Sequence, residues 1–79
     1  MRLKVKLFAG LAAQATGTEA GVPFEFELPD GSPLSELVLR LHLPETGIRV
    51  IFVNGRSRST DYVLQDKDEV GIFPAIGGG

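Results

Sequence analysis

One stretch of this 79-residue chain can form a helix with a face to bury. In SPLSELVLRLHLP, residues 32–44, Leu34, Leu37, Val38 and Leu41 recur at i, i+3, i+4 and i+7. Ser32 is read as its N-cap and Pro33 as its first residue, where a missing N–H leaves nothing unpaired. Glu36 suits the positive end of the helix dipole. Arg40 and His42 lie near the other end, and Pro44 stops propagation. A single amphipathic helix cannot enclose its own apolar stripe, so it must lie on a sheet.

The flanking segments supply that sheet. In RLKVKLF (2–8), Leu3, Val5 and Leu7 share one face, and Arg2, Lys4 and Lys6 the other, until Phe8 breaks the alternation. VPFEFEL (22–28) alternates in the same way, and its Glu25 and Glu27 match Lys4 and Lys6 as cross-strand charges of an antiparallel pair. AGLAAQATG (9–17) is Ala-rich and reads as a short helical turn ended by Gly17. IRVIFV (48–53) is apolar on both faces over 50–53, as expected of a central strand. Asn54-Gly55 is the preferred pair for a two-residue hairpin turn. DYVL (61–64) is a short connection, QDKD (65–68) a turn and EVGIFPAI (69–76) the last strand, with Val70 and Ile72 inward and Gly71 and Phe73 outward. The expected order is β, β, α, β, short β, β. The expected class is α+β: a mixed four- to five-stranded sheet with one main helix on one face, in a single domain, 1–79.

Composition removes several functions. There is no cysteine, hence no disulfide, thiolate nucleophile or Cys metal site, which agrees with a reducing, cytoplasmic setting. The single His42 has no acid or nucleophile partner, so Ser32, Ser35, Ser57 and Ser59 lack a base. Asp66, Asp68 and Glu69 lack the spacing of a calcium loop and read as a solvated turn; no metal site is expected. MRLKVKLF is neither a signal peptide nor a membrane span. A net charge of −2 with mixed signs gives no basic face for nucleic acid. The glycines are not a phosphate loop, since no Lys-Ser/Thr follows them.

What remains is the ending, FPAIGGG (73–79). Taken alone, three glycines are equally a frayed end. They also carry a chemical handle, the Gly79 α-carboxylate, ionised at neutral pH. Joined to AMP as a mixed anhydride, it becomes an acyl donor. Glycine fits the task because, without Cβ, it enters a narrow channel. Residues 76–79, extended, reach about 13–14 Å. Ile76 is the last side chain able to anchor the backbone, and Pro74 cannot donate to a sheet, so pairing is expected to weaken there. Gly77 to Gly79 are expected to be mobile in the free protein and ordered in a partner. Phe8 and Phe73 are expected to be partly exposed on the sheet face away from the helix, as a docking patch.

With these pieces in order, the chain resembles the ubiquitin-like sulfur carriers, the MoaD/ThiS group, and within it the small subunit of molybdopterin synthase. VKLFAGLAAQATG, FELPDGSPLSELVLRL, VIFVNG and LQDKDEVGIFPAIGGG resemble that family's blocks along the whole length. Gly78 and Gly79 take the place of its diglycine, and Gly77 of a residue that is often Ser or Thr. Three departures stand out: Lys67 replaces a turn glycine, which implies φ > 0 at a cost; Ala75 replaces a second proline, which implies a looser tail; Ser57 replaces an apolar interface residue. The resemblance implies a β-grasp fold and a carrier without catalysis of its own. A ubiquitin-activating-like adenylyltransferase, using ATP and Mg²⁺ that the carrier does not itself bind, would adenylate Gly79. A sulfur donor system would convert the adenylate to a thiocarboxylate, which would deliver its sulfur to a substrate held by another protein, the larger synthase subunit. Phe8, Phe73, Pro74 and Ile76 are the implied docking residues. The Asn-Gly hairpin after the helix favours the molybdenum- or tungsten-cofactor pathway. Thiamine, tRNA and cysteine thiolation, a lysine-conjugated modifier and a plain binding module are the alternatives.

Overall fold

The computed structural model describes residues 1–8, 11 and 19–75. Strands β1 (Arg2–Leu7), β2 (Phe24–Glu27), β3 (Ile48–Val53), β4 (Arg56–Arg58) and β5 (Glu69–Pro74) form one mixed sheet in the order β2-β1-β5-β3-β4. β5 runs parallel to β1 and antiparallel to β3; the outer pairs are antiparallel. Helix α1 (Leu34–Arg40) lies between β2 and β3 in the chain. The expected α+β, β-grasp arrangement is the one found. The middle strand is β5, however, and β3 lies one place out. Both are paired on two sides, which is why residues 50–53 read as central. The 9–17 segment, apart from Leu11, lies outside the described residues.

The core is the layer between sheet and helix. Leu3, Val5 and Leu7 of β1, Val70 and Ile72 of β5, and Ile51 and Val53 of β3 are buried against Leu34, Leu37 and Val38. Period-two and period-3.6 patterns therefore converge on one volume. β2 is shorter than expected. Val22 stands outside it, 49% exposed, and Phe24 and Phe26 are half-buried at the sheet edge.

The helix is not capped by Ser32. It begins at Leu34, because Pro33 is extended (φ −81°, ψ 167°) and bridges Val63. The Ser32 hydroxyl instead donates to the Pro29 carbonyl, 2.7 Å away, closing the preceding turn. The first helical N–H groups are satisfied by the neighbouring connection: Leu34 donates to Tyr62 O (2.8 Å) and Ser35 to Thr60 O (2.9 Å). At the other end, Leu43 N–H reaches Val38 O (3.1 Å) and His42 N–H reaches Leu39 O (3.0 Å), a Schellman closure. Exposed His42 occupies the left-handed position usually given to glycine, with φ 59°.

The charge match also shifts. Lys4 faces Glu25, but Arg2 faces Glu27, and Lys6 lies beyond the paired register. Arg2 reaches both Glu25 and Glu27 at 3.4 Å. These pairs are exposed and screened, so each contributes at most about 1 kcal/mol. The hairpin reading holds, with φ 52° at Asn54 and 85° at Gly55.

Lys67 has φ 72°, as the resemblance implied, and its N–H donates to Arg2 O at 2.7 Å. A left-handed non-glycine residue costs roughly 1–2 kcal/mol. Lys67→Gly keeps the backbone bond and removes the strain, partly offset by a freer unfolded chain. It is expected to stabilise the fold by about 1 kcal/mol, read as a rise of about 4–8 °C in Tm. No rise would mean that the turn has relaxed around lysine.

Asp68 departs from the expected solvated turn. It is buried, 6% exposed. Its Oδ1 accepts from Asn54 Nδ2 and its Oδ2 from the Gln65 N–H, each at 2.9 Å. Asn54 Oδ1 accepts from the Glu69 N–H (2.9 Å), and the Asn54 N–H donates to Glu69 O (2.8 Å). The sequence shows both residues as turn formers; only the sheet brings the two turns together. Among the described residues, no helix is long and apolar enough to cross a membrane.

Candidate functional site: the aromatic face beside the tail

The helix covers one face of the sheet and leaves the other to its own side chains. Leu7 pairs with Ile72, and the Phe8 N–H donates to Ile72 O (3.2 Å), so Phe8 continues the β1 track beside Phe73. Their rings stack with centroids 4.2 Å apart and planes 5° from parallel. Phe52, from β3, meets Phe73 edge-on at 5.6 Å and 84°. All three rings are half-buried. Alternation along β5 places Phe73 opposite the buried Ile72, and so on the face away from the helix.

Gly71 lies between Lys6 and Phe52 in the register. Its missing side chain leaves an open groove of about 220 Å³, lined by Lys4, Lys6, Phe8, Phe52, Glu69 and Phe73 among others. A Cβ at Gly71 would sit 3.6 and 3.7 Å from the Phe8 and Phe73 rings, ordinary contact distances. The glycine shapes the groove rather than relieving a clash. The surface thus joins apolar ring edges to a rim of both charge signs, the composition of a protein-docking patch.

Ser57, opposite Phe52 on β4, is exposed on the same face and extends it with a polar group. Pro74, half-buried, ends β5 opposite Ile48. The expectation that pairing fades at Pro74 is corrected by the next residue. The Ala75 N–H donates to Gly47 O at 2.8 Å. A proline at 75 would lack that donor, so alanine holds residue 75 to Gly47; the looser tail that the replacement implied falls on residues outside those described. Ile76, Gly77, Gly78 and Gly79 lie outside the described residues.

Phe8 and Phe73 therefore gather at one end of the sheet's open face, whereas Pro74, the next residue in the alternation of β5, falls on the side of Ile72. Phe52 is the member that sequence reasoning did not single out. Its signal was present: in a strand apolar on both faces, the residue alternate to buried Ile51 and Val53 must point outward. Among the described residues, no group of three or more His, Asp or Glu side chains could hold a metal ion. His42 stands exposed beyond the end of α1.

The ThiS family model matches residues 5–79. No curated protein matches the sequence. Among solved structures, a putative molybdopterin converting factor subunit 1 from Pyrococcus furiosus is 31% identical, with 96% of this chain and 99% of that one covered and a TM-score of 0.76. SAMP1 from Haloferax volcanii shares 20% identity over 100% of both chains, TM-score 0.71. A complex of subunits 1 and 2 of molybdopterin-converting factor from Helicobacter pylori 26695 contains a chain 22% identical over 100% of both, TM-score 0.63. The last two speak for the fold alone. The family match runs from β1 through the aromatic face to the final glycine, and the chain belongs to the ThiS family of ubiquitin-like β-grasp sulfur carriers.

Proposed function

We propose that this protein carries sulfur on the Gly79 carboxylate and delivers it in molybdenum- or tungsten-cofactor synthesis. The observation that supports this most is the family match extending to residue 79, in a chain whose docking face lies at the base of that tail. In the first step a carboxylate oxygen attacks the α-phosphorus of ATP, forming the acyl adenylate and releasing pyrophosphate. ATP and Mg²⁺ belong to a ubiquitin-activating-like adenylyltransferase. A sulfide equivalent from a sulfur donor system then attacks the acyl carbon and AMP leaves with the bonding electrons, giving a C-terminal thiocarboxylate. The carrier supplies the acyl group and a docking surface; catalytic side chains belong to its partners. The 31% likeness to the Pyrococcus furiosus subunit 1 supports the pathway, and the two-subunit complex from Helicobacter pylori supports a larger synthase subunit as the partner that holds the sulfur-accepting substrate. The setting is cytoplasmic, where ATP is available and a thiocarboxylate can store sulfur without a cysteine.

Incubation with the adenylyltransferase, ATP, Mg²⁺ and a sulfur source tests this by intact mass. Exchange of one oxygen for sulfur is the expected result. A mass joined to a lysine of another protein would make the chain a modifier, and no change would reject the carrier role.

Phe73 gives the docking face its own test. Phe73→Ala removes one ring from two aromatic contacts, each worth about 0.5–1.5 kcal/mol. Because the ring is half-buried, the two contacts set most of the loss, and stability is expected to fall by about 1–3 kcal/mol. Binding to the adenylyltransferase or the larger subunit is expected to weaken about tenfold or more, as for an aromatic anchor. A large fall in Tm with unchanged Kd would instead assign the cluster to the core.

A further inference from the structure

The hydrogen bond from the Ala75 N–H to Gly47 O lies past the last fully buried core residue of β5, Ile72, and ties two parts of the chain that sequence does not link. Gly47 ends the 3₁₀ turn Glu45–Gly47, which joins α1 to β3. The turn closes through the Gly47 N–H on Pro44 O, 2.9 Å. It closes this tightly because residue 47 is glycine: a Cβ there would lie 2.9 Å from Pro44 Cγ, in a ring that cannot swing away. Regular pairing of β5 with β3 ends at Ile48↔Pro74, after a register shift between Ile48 and Val50. Pro74 has no N–H to give. Ala75 therefore bonds to the residue just before β3 and carries the β5 track one step beyond the proline.

That bond does little for the core. The Ala75 side chain is exposed, and the apolar layer is complete without it. Its consequence lies with the residues that follow. We propose that the Ala75–Gly47 bond is a clasp that fixes the direction in which the tail leaves the sheet, making Ala75 a positioning residue for activation of Gly79. The proposal rests on the sulfur-carrier reading. From a clasped base, residues 76–79 have a reach of about 13–14 Å from a defined point beside the Phe8–Phe73 stack. A docking partner then meets a tail whose first residue is already ordered, and the cost of ordering it is absent from the encounter.

Three chains test the clasp, with amide exchange as the structural readout and steady-state adenylation by the ubiquitin-activating-like adenylyltransferase, with ATP and Mg²⁺, as the functional one. Gly47→Ala displaces the turn through Pro44 while leaving the tail sequence intact. Exchange at the Ala75 amide is expected to quicken at least about tenfold, and KM for the carrier to rise roughly five- to thirtyfold with kcat held, the span expected for ordering one more residue. Pro44→Ala combined with Gly47→Ala removes the Pro44 Cγ that the new Cβ crowds, leaving only the ordinary contact with Cβ, and is expected to return both readouts to wild type. A semisynthetic chain with an ester oxygen in place of the Ala75 N–H deletes the donor whatever the turn does, and is expected to show the same rise in KM. An Ala75 amide unprotected in the wild type would overturn the clasp, as would an ester chain adenylated with the wild-type KM. If the wild type is not adenylated at all, the carrier reading fails and this role falls with it. A wild type that is adenylated beside an unimpaired ester chain rejects the clasp alone.

Discussion

Adding one residue after Gly79, or deleting Gly79, is expected to lower ATP-dependent AMP transfer more than about 100-fold without changing the melting temperature. One residue moves the reacting carboxylate by about 3.3–3.6 Å along an extended chain. A displacement of only about 1 Å between reacting groups can cost 10²-fold in rate. The added residue also replaces the carboxylate at Gly79 with an amide, which has no anionic oxygen to attack ATP. Neither change touches the core, whose buried side chains lie within residues 3–72. The measurement is release of pyrophosphate with the adenylyltransferase, beside a thermal melt. Adenylation of either variant at the wild-type rate would remove Gly79 from the chemistry.

Asp68→Ala is expected to be the most damaging single polar substitution among the described residues. The carboxylate accepts one bond on each oxygen, from Asn54 Nδ2 and from the Gln65 N–H. Bonds to a charged acceptor are worth about 1.5–3 kcal/mol each. Asn54 is exposed and regains water, whereas the Gln65 N–H points into the space that Asp68 fills, so the net loss is about 2–4 kcal/mol. A fold of this size has about 3–5 kcal/mol in all. The urea midpoint is therefore expected to fall by half or more. Asp68→Asn keeps one acceptor oxygen but sets an amide NH₂ against either a donor side chain or a donor backbone group, and is expected to lie between alanine and wild type. Unfolding free energies within about 0.5 kcal/mol of wild type for both variants would return Asp68 to the ordinary surface.

Elements resting on short-range patterns were legible in the sequence. Leu3, Val5 and Leu7 alternate because a sheet has period two, and Leu34, Leu37 and Val38 share a stripe because a helix has period 3.6. Asn54-Gly55 announces its turn because both residues tolerate φ > 0. What escaped depends on partners distant in the chain. Ser32 has the chemistry of a cap, but the carbonyls of Thr60 and Tyr62 reach the helix first. Asp68 has the look of a solvated turn residue until Asn54, fourteen positions away, is brought against it. Ala75 reads as a weakened proline position; only the proximity of Gly47 makes its N–H useful. At the candidate site, Phe8 and Phe73 stood out because one breaks an alternation and the other opposes it, while Phe52 was hidden in a run apolar on both faces.

The place of β5 at the centre of the sheet bears on how the protein is made. β1–β2 and β3–β4 are two-stranded pieces that meet only through β5. A two-stranded piece alone is marginal in water. While the ribosome still holds residues 69–74, each half of a nascent chain shows an unpaired strand edge, β1 on one side and β3 on the other, and such edges recruit other chains. Insertion of the last strand covers both edges at once. A chain able to present its tail to an enzyme has thereby already closed its sheet, and a stalled or clipped chain lacking β5 would display two sticky edges to the quality-control machinery of the cell.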